Sequence, residues 1–114
     1  MSPRSFTLCV ITLLLTGCSA GVRVTVLNNS GGELTNVQIS GRGFSEDMVS
    51  IASGKVETVR IRPAGDSGMA VAFDLRGKHF AWPEQGYFGN SSHYKVDVSV
   101  QADGSATIKS SLVP

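Results

Sequence analysis

Apolar and polar residues alternate along most of this chain with a period of two. In "VRVTVLN", Val22, Val24 and Val26 fall on one side; in "NVQIS", Val37 and Ile39 do. The same spacing gives Val59 and Ile61 in "VETVRIR", with Arg60 and Arg62 turned outward. It gives Met69, Val71, Phe73 and Leu75 in "MAVAFDLR", Tyr94, Val96, Val98 and Val100 in "YKVDVSV", and Ala106, Ile108 and Leu112 in "ATIKSSL". Alternation of this kind is the mark of a strand with one face buried and one face wet. A shorter strand is predicted over residues 48–52, "MVSIA". No window carries a helical period. Glycine-rich and turn-forming segments separate the strands: "NNSGG", "GRG", "PAGDSG", "FGNSS" and "ADGS".

So many short strands at close spacing predict an all-β fold, an antiparallel two-sheet sandwich of about seven or eight strands. The chain lacks the Cys…Trp…Cys spacing of antibody domains, so the expectation is an immunoglobulin-like or transthyretin-like sandwich. Two hairpins are predicted to the residue. At "ADGS", a two-residue turn would oppose Val100 and Thr107, placing inward and outward faces together. A three-residue loop over residues 102–104 instead pairs Val100 with Ala106 and Val98 with Ile108, with Gly104 at positive φ. At "PAGDSG", matching inward faces predicts Ile61 opposite Val71 and Val59 opposite Phe73. Arg60 and Arg62 then cover Ala72 and Ala70, and Arg60 reaches Asp74 diagonally.

The N-terminal residues read differently. Arg4 precedes an apolar run over residues 6–15, which is too short to cross a bilayer but suits the apolar core of a secretory signal. The run closes on "LTGC", residues 15–18, which resembles the lipobox of bacterial lipoproteins. That resemblance implies removal of residues 1–17 and a diacylglyceryl thioether on Cys18. The mature protein would then be a lipidated Cys18 with a short tether (18–21), followed by a sandwich domain over 22–114. Two or three acyl chains on one cysteine make a durable anchor, whereas one short chain binds only reversibly. Ser19, rather than Asp, follows the cysteine, which favours the outer membrane, facing the periplasm. Three residues between Cys18 and Val22 reach about 10 Å at most, so the domain is expected against the lipid headgroups.

Composition narrows the chemistry. Residues 18–114 suit one small domain with one modest core. The chain has two cysteines, Cys9 and Cys18. The first departs with the signal and the second is lipidated, which leaves none for a disulfide, a thiolate metal site or a nucleophile. Ten basic and nine acidic residues become equal once Arg4 is gone. No basic tract appears, so binding of nucleic acid or of an anionic membrane by charge is not expected.

No catalytic constellation stands out, and the expectation is a non-enzymatic protein without cofactor. His79, His93 and Glu84 have neither HExxH order nor a compact ligand spacing, so they are read as surface or loop residues rather than a metal site. No serine sits in G-x-S-x-G. The best binding candidate is the aromatic segment 81–89, "AWPEQGYFG", read as a loop between two strands, in which Trp82, Tyr87 and Phe88 are either hot-spot residues or a cap on the core. Arg60 and Arg62 form a second candidate strip for a partner. The stretch "GYFGNSSHYKVDVSVQADGSATI" is similar to that of small bacterial envelope sandwich proteins of no assigned activity.

Two functions are weighed. The first is a membrane-anchored binding or scaffold module for an envelope protein, since pilot and assembly lipoproteins of secretion machines resemble this chain in size, anchor and architecture. The second is a periplasmic inhibitor of a lysozyme-type hydrolase acting through the 81–89 loop; such inhibitors are similarly small and β-rich but commonly carry a disulfide.

Overall fold

The computed structural model describes residues 21–113 except Ser92. The predicted signal and the lipobox cysteine, Cys18, lie outside the described residues. Eight strands follow one another: β1 (Val22–Asn28), β2 (Leu34–Gly41), β3 (Phe44–Met48), β4 (Val56–Ile61), β5 (Ser67–Leu75), β6 (Lys78–Phe88), β7 (Tyr94–Val100) and β8 (Ala106–Leu112). They form two four-stranded sheets, ordered β4-β1-β7-β8 and β3-β2-β5-β6. The result is the two-sheet sandwich that the alternation predicts. In the immunoglobulin arrangement the first two strands share a sheet; here β1 and β2 lie in opposite sheets. Of the two sandwiches expected, the order therefore leaves the transthyretin-like one. All pairings are antiparallel except β1 with β7, which run parallel.

The core lies between the sheets and is built from the inward residues of each strand. Val22, Val24, Val26, Val37, Ile39, Ile61, Met69, Val71, Phe73, Leu75, Val96, Val98 and Val100 are all buried. Tyr94, Val59 and Ile108 are half-buried against them. Leu112, expected inward, is 67% exposed. It ends an edge strand, where no neighbouring strand shields the side chain.

The β7–β8 hairpin has the predicted register, Val100 with Ala106 and Val98 with Ile108. Gly104 takes φ +85°. The loop closes by hydrogen bonds from Gly104 N to Gln101 O and from Gln101 N to Ser105 O. Asp103 accepts from both the backbone N–H and the hydroxyl of Ser105, which holds its carboxyl below the usual aspartate range.

Three expectations are corrected. The segment "PAGDSG" is not a hairpin turn: β4 pairs with β1, β5 pairs with β2 and β6, and residues 62–66 cross from one sheet to the other. Period-two patterning states which face of a strand is buried, and it is satisfied equally by a neighbour in the sheet or by one across the core. Arg60 is therefore not beside Asp74 and does not cover Ala72. The strand predicted over 48–52 lies earlier, as β3, while Ile51 makes only a bridge to Leu34. Finally, the aromatic segment is not a loop. Residues 81–88 belong to β6, an edge strand that tolerates Pro83 because its ladder bonds are one-sided; of its two register shifts against β5, one spans Pro83 and Glu84 and the other Gly86 and Tyr87.

Crossovers fix the two ends of the sandwich. The start of β1, the end of β4 and the starts of β5 and β7 share one end. The start of β2, the end of β5 and the turns at 76–77 and 102–104 share the other.

Candidate functional site

The second sheet carries a groove of about 560 Å³ on its outer face, lined by Thr35, Asn36, Val37, Gln38, Asp47, Met48, Ser50, Ala72 and His79. Its floor is low because facing outward positions hold small residues: Ala72 of the central strand β5 lies directly opposite Ala81 of the edge strand β6. Its walls are polar because alternation on β2 and β3 sends Gln38 and Asp47 outward, where the Gln38 amide donates to the Asp47 carboxylate at 3.0 Å.

A bulge at the start of β2 shapes the other wall. Thr35 pairs with Asp74 but Gln38 with Ala72, so three steps on β2 face two on β5. The extra residue is Asn36, which takes φ +49°. Asparagine tolerates the left-handed region better than most residues, and a bulge re-aims a side chain. Here it turns the Asn36 amide to Asp74, where Nδ2 donates to Oδ2 at 2.8 Å. The other carboxylate oxygen, Oδ1, lies 2.7 Å from Nδ1 of His79, the cross-strand neighbour of Asp74. These two hydrogen bonds, the one from Asn36 foremost, hold the Asp74 carboxyl below the usual aspartate range. With Nδ1 engaged, the His79 ring is oriented and its Nε2 has no partner among the described residues. The side chain is 65% exposed.

The groove thus offers hydroxyls, amides, carboxylates and an oriented imidazole around a small apolar floor. Its size is that of a small-molecule site, and its chemistry suits a ligand rich in hydroxyls. The sequence reading missed it. Asn36 and Gln38 looked like the wet face of a strand, and His79 like a loop residue. The single available signal was "LTNVQI", where Leu34 and Val37 are both apolar but three apart.

The residues singled out from the sequence lie elsewhere. Phe88 is fully buried and packs 6.3 Å from the Phe44 ring, so it belongs to the core and offers nothing to a partner. Trp82 is half-buried, and its indole N–H donates to the carbonyl of Gly104 at 2.9 Å, tying β6 to the β7–β8 turn. Tyr87 alone of the three is exposed, at 58%. Its hydroxyl bonds the Asp66 carboxylate, which raises the phenol above its ordinary value. Arg60 lies on the outer face of the first sheet, opposite Arg23. Arg62 follows the end of β4, exposed, beside Gly21. His79 lies near the start of β6, whereas His93 lies beyond its end, just before β7, and bonds the Ser91 hydroxyl. Among the described residues no group of three or more His, Cys, Asp or Glu is placed to hold a metal ion.

No known family profile matches the chain, and no curated protein matches it in sequence. Among solved structures it is similar to a protein from Eubacterium rectale determined by NMR, with 11% identity, a TM-score of 0.57, and coverage of 77% of this chain and 85% of that one. At that identity the likeness is one of fold alone.

Proposed function

We propose that this protein is a lipid-anchored envelope module that binds a hydroxyl-rich component of the bacterial envelope, without catalysing a reaction on it. The observation that carries the binding part is the groove over β2, β3, β5 and β6, with its bulge-set Asn36–Asp74–His79 chain. The anchor part rests on the lipobox "LTGC" and on the short distance from Cys18 to β1, which begins at Val22. The groove residues Thr35, Asn36 and His79 stand at the end of the sandwich remote from the start of β1. An anchored domain would therefore present the groove away from the lipid. The hydrolase-inhibitor reading depends on a protruding 81–89 loop, and residues 81–88 lie in β6 instead.

The test places a photo-crosslinking residue at Gln38, in the groove, or at Thr107, on the outer face of the other sheet, in the anchored protein. The expected result is an envelope adduct from position 38 and none from 107. Adducts at both or at neither refute the binding reading. Mass analysis of the purified membrane form tests the anchor separately: a free thiol or an intact N-terminus at Cys18 removes it.

A further inference from the structure

Two strand registers bring together three cations that the sequence keeps far apart. β1 pairs with β4 so that Arg23 lies opposite Arg60, and with β7 so that Arg23 lies beside Lys95. Their neighbours Val22, Val24, Ile61 and Val96 are buried, so all three belong to the outer face. Residues directly opposite on one face stand about 5 Å apart. The row Arg60–Arg23–Lys95 therefore concentrates three positive charges within about 10 Å. With Tyr94 and Val113 these residues line a hollow of about 140 Å³. Among the described residues Arg23 and Arg60 have no carboxylate partner, and Lys95 has only Asp97, at 3.9 Å. Like charges placed opposite one another destabilise a sheet. An anion with several oxygens, seated in the hollow, would offset that cost.

The row lies at the end of the sandwich where β1 begins. Gly21, three residues after Cys18, packs there on the backbone of Ile61, close enough that a Cβ would meet its carbonyl oxygen at 2.6 Å. Arg42, in the β2–β3 turn, and Arg62 stand at the same end. Asp66 is the one carboxylate among the described residues of the loops there, and it accepts from Tyr87. The opposite end is balanced, with Lys55, Arg76 and Lys78 against Glu33, Glu57 and Asp103. Overall neutrality conceals a cationic end where β1 begins.

We infer that Arg23, Arg60 and Lys95 bind the phosphates of anionic lipid headgroups and hold this end of the sandwich on the membrane. The choice of lipid over other phosphates rests on the anchored reading above. Each basic residue at an anionic surface contributes about fivefold to binding, so three give about a 100-fold preference.

The test uses the chain from residue 18 with Cys18→Ser, which contains every strand, in flotation with vesicles of phosphatidylcholine alone or mixed with phosphatidylglycerol. Circular dichroism checks each variant for the native fold. The expected result is a preference of about 100-fold for the anionic vesicles at low salt, lost in Arg23→Gln/Arg60→Gln/Lys95→Gln and kept in Lys55→Gln/Lys78→Gln. Equal binding to both vesicles overturns the inference, as does a preference that survives the triple change or falls equally with the Lys55/Lys78 pair. Lipid found on Cys18 with no vesicle preference sinks this inference alone. An unlipidated Cys18 with the preference intact sinks the anchor and leaves the lipid-binding surface.

Discussion

Replacing Asn28 should cost this protein a large part of its stability. Asn28 ends β1 and is fully buried. Its amide donates to Gly32 O at 2.7 Å and to Ile51 O at 2.8 Å, and its carbonyl accepts from Ser30 N at 3.0 Å and Ser30 Oγ at 2.6 Å. In Asn28→Ala the two backbone carbonyls keep a second donor each, Ser30 Oγ for Gly32 and Leu34 N for Ile51. The N–H of Ser30, which is 2% exposed, keeps none. An orphaned buried donor costs about 1–3 kcal/mol and each of the three other lost bonds about 0.5–1.5, which sums to about 2.5–7.5 kcal/mol. At about 4–8 °C per kcal/mol for a domain of this size, even the low end lowers Tm by about 10–20 °C. Asn28→Asp is a sharper probe. It retains the acceptor for Ser30 but turns a second oxygen toward two carbonyls, so burial and repulsion favour the neutral carboxyl and raise its folded pKa above the unfolded one. A raised folded pKa means the variant is least destabilised below the unfolded value and loses stability as pH rises through the folded one. Urea unfolding followed by the single tryptophan, Trp82, from pH 4 to 8 measures both. An Asn28→Ala loss under about 1 kcal/mol, or an Asn28→Asp loss independent of pH, would falsify the network as drawn.

Two further outcomes follow from the same geometry. A Cβ at Gly104 would sit 2.2 Å from Phe80 Cε1, at φ +85°; Gly104→Ala should cost about 2–4 kcal/mol, from left-handed strain and overpacking, and about half of that in a Phe80→Ala background. Equal losses in both backgrounds would show that Phe80 is not the obstruction. Asp74, held below its usual 3.8 by Asn36 and His79, contributes stability above that value and loses it as pH falls through its lower folded pKa. Thermal melts of wild type and Asp74→Asn should therefore converge on acidification, and a constant gap between pH 6 and 2 would contradict the two hydrogen bonds.

Alternation alone determined a great deal about this protein. It identified the inward residues of β1, β2, β5 and β7, because the side-chain period of a strand is the same wherever the strand is placed. It also set the β7–β8 register, because a short hairpin couples turn length to face, and the glycine at position 104 meets the requirement for positive φ. The signal-like run and "LTGC" are equally local. What sequence could not decide is which strand stands beside which. Ile61 and Val71 satisfy the same pattern as neighbours in a sheet or as partners across the core, and only the closed sandwich places them across it. Both candidate surfaces depend on that choice. The groove needs Asp74 of β5 between Asn36 of β2 and His79 of β6. The cationic row needs Arg23, Arg60 and Lys95 from three strands scattered along the chain. Asn28 reads in the sequence as an ordinary turn residue, and becomes the buried hub of a loop only when Ile51 arrives from a distant segment. Local patterning fixes the faces of strands because they repeat every two residues; pairing between strands far apart in the chain is settled only by packing the whole core at once.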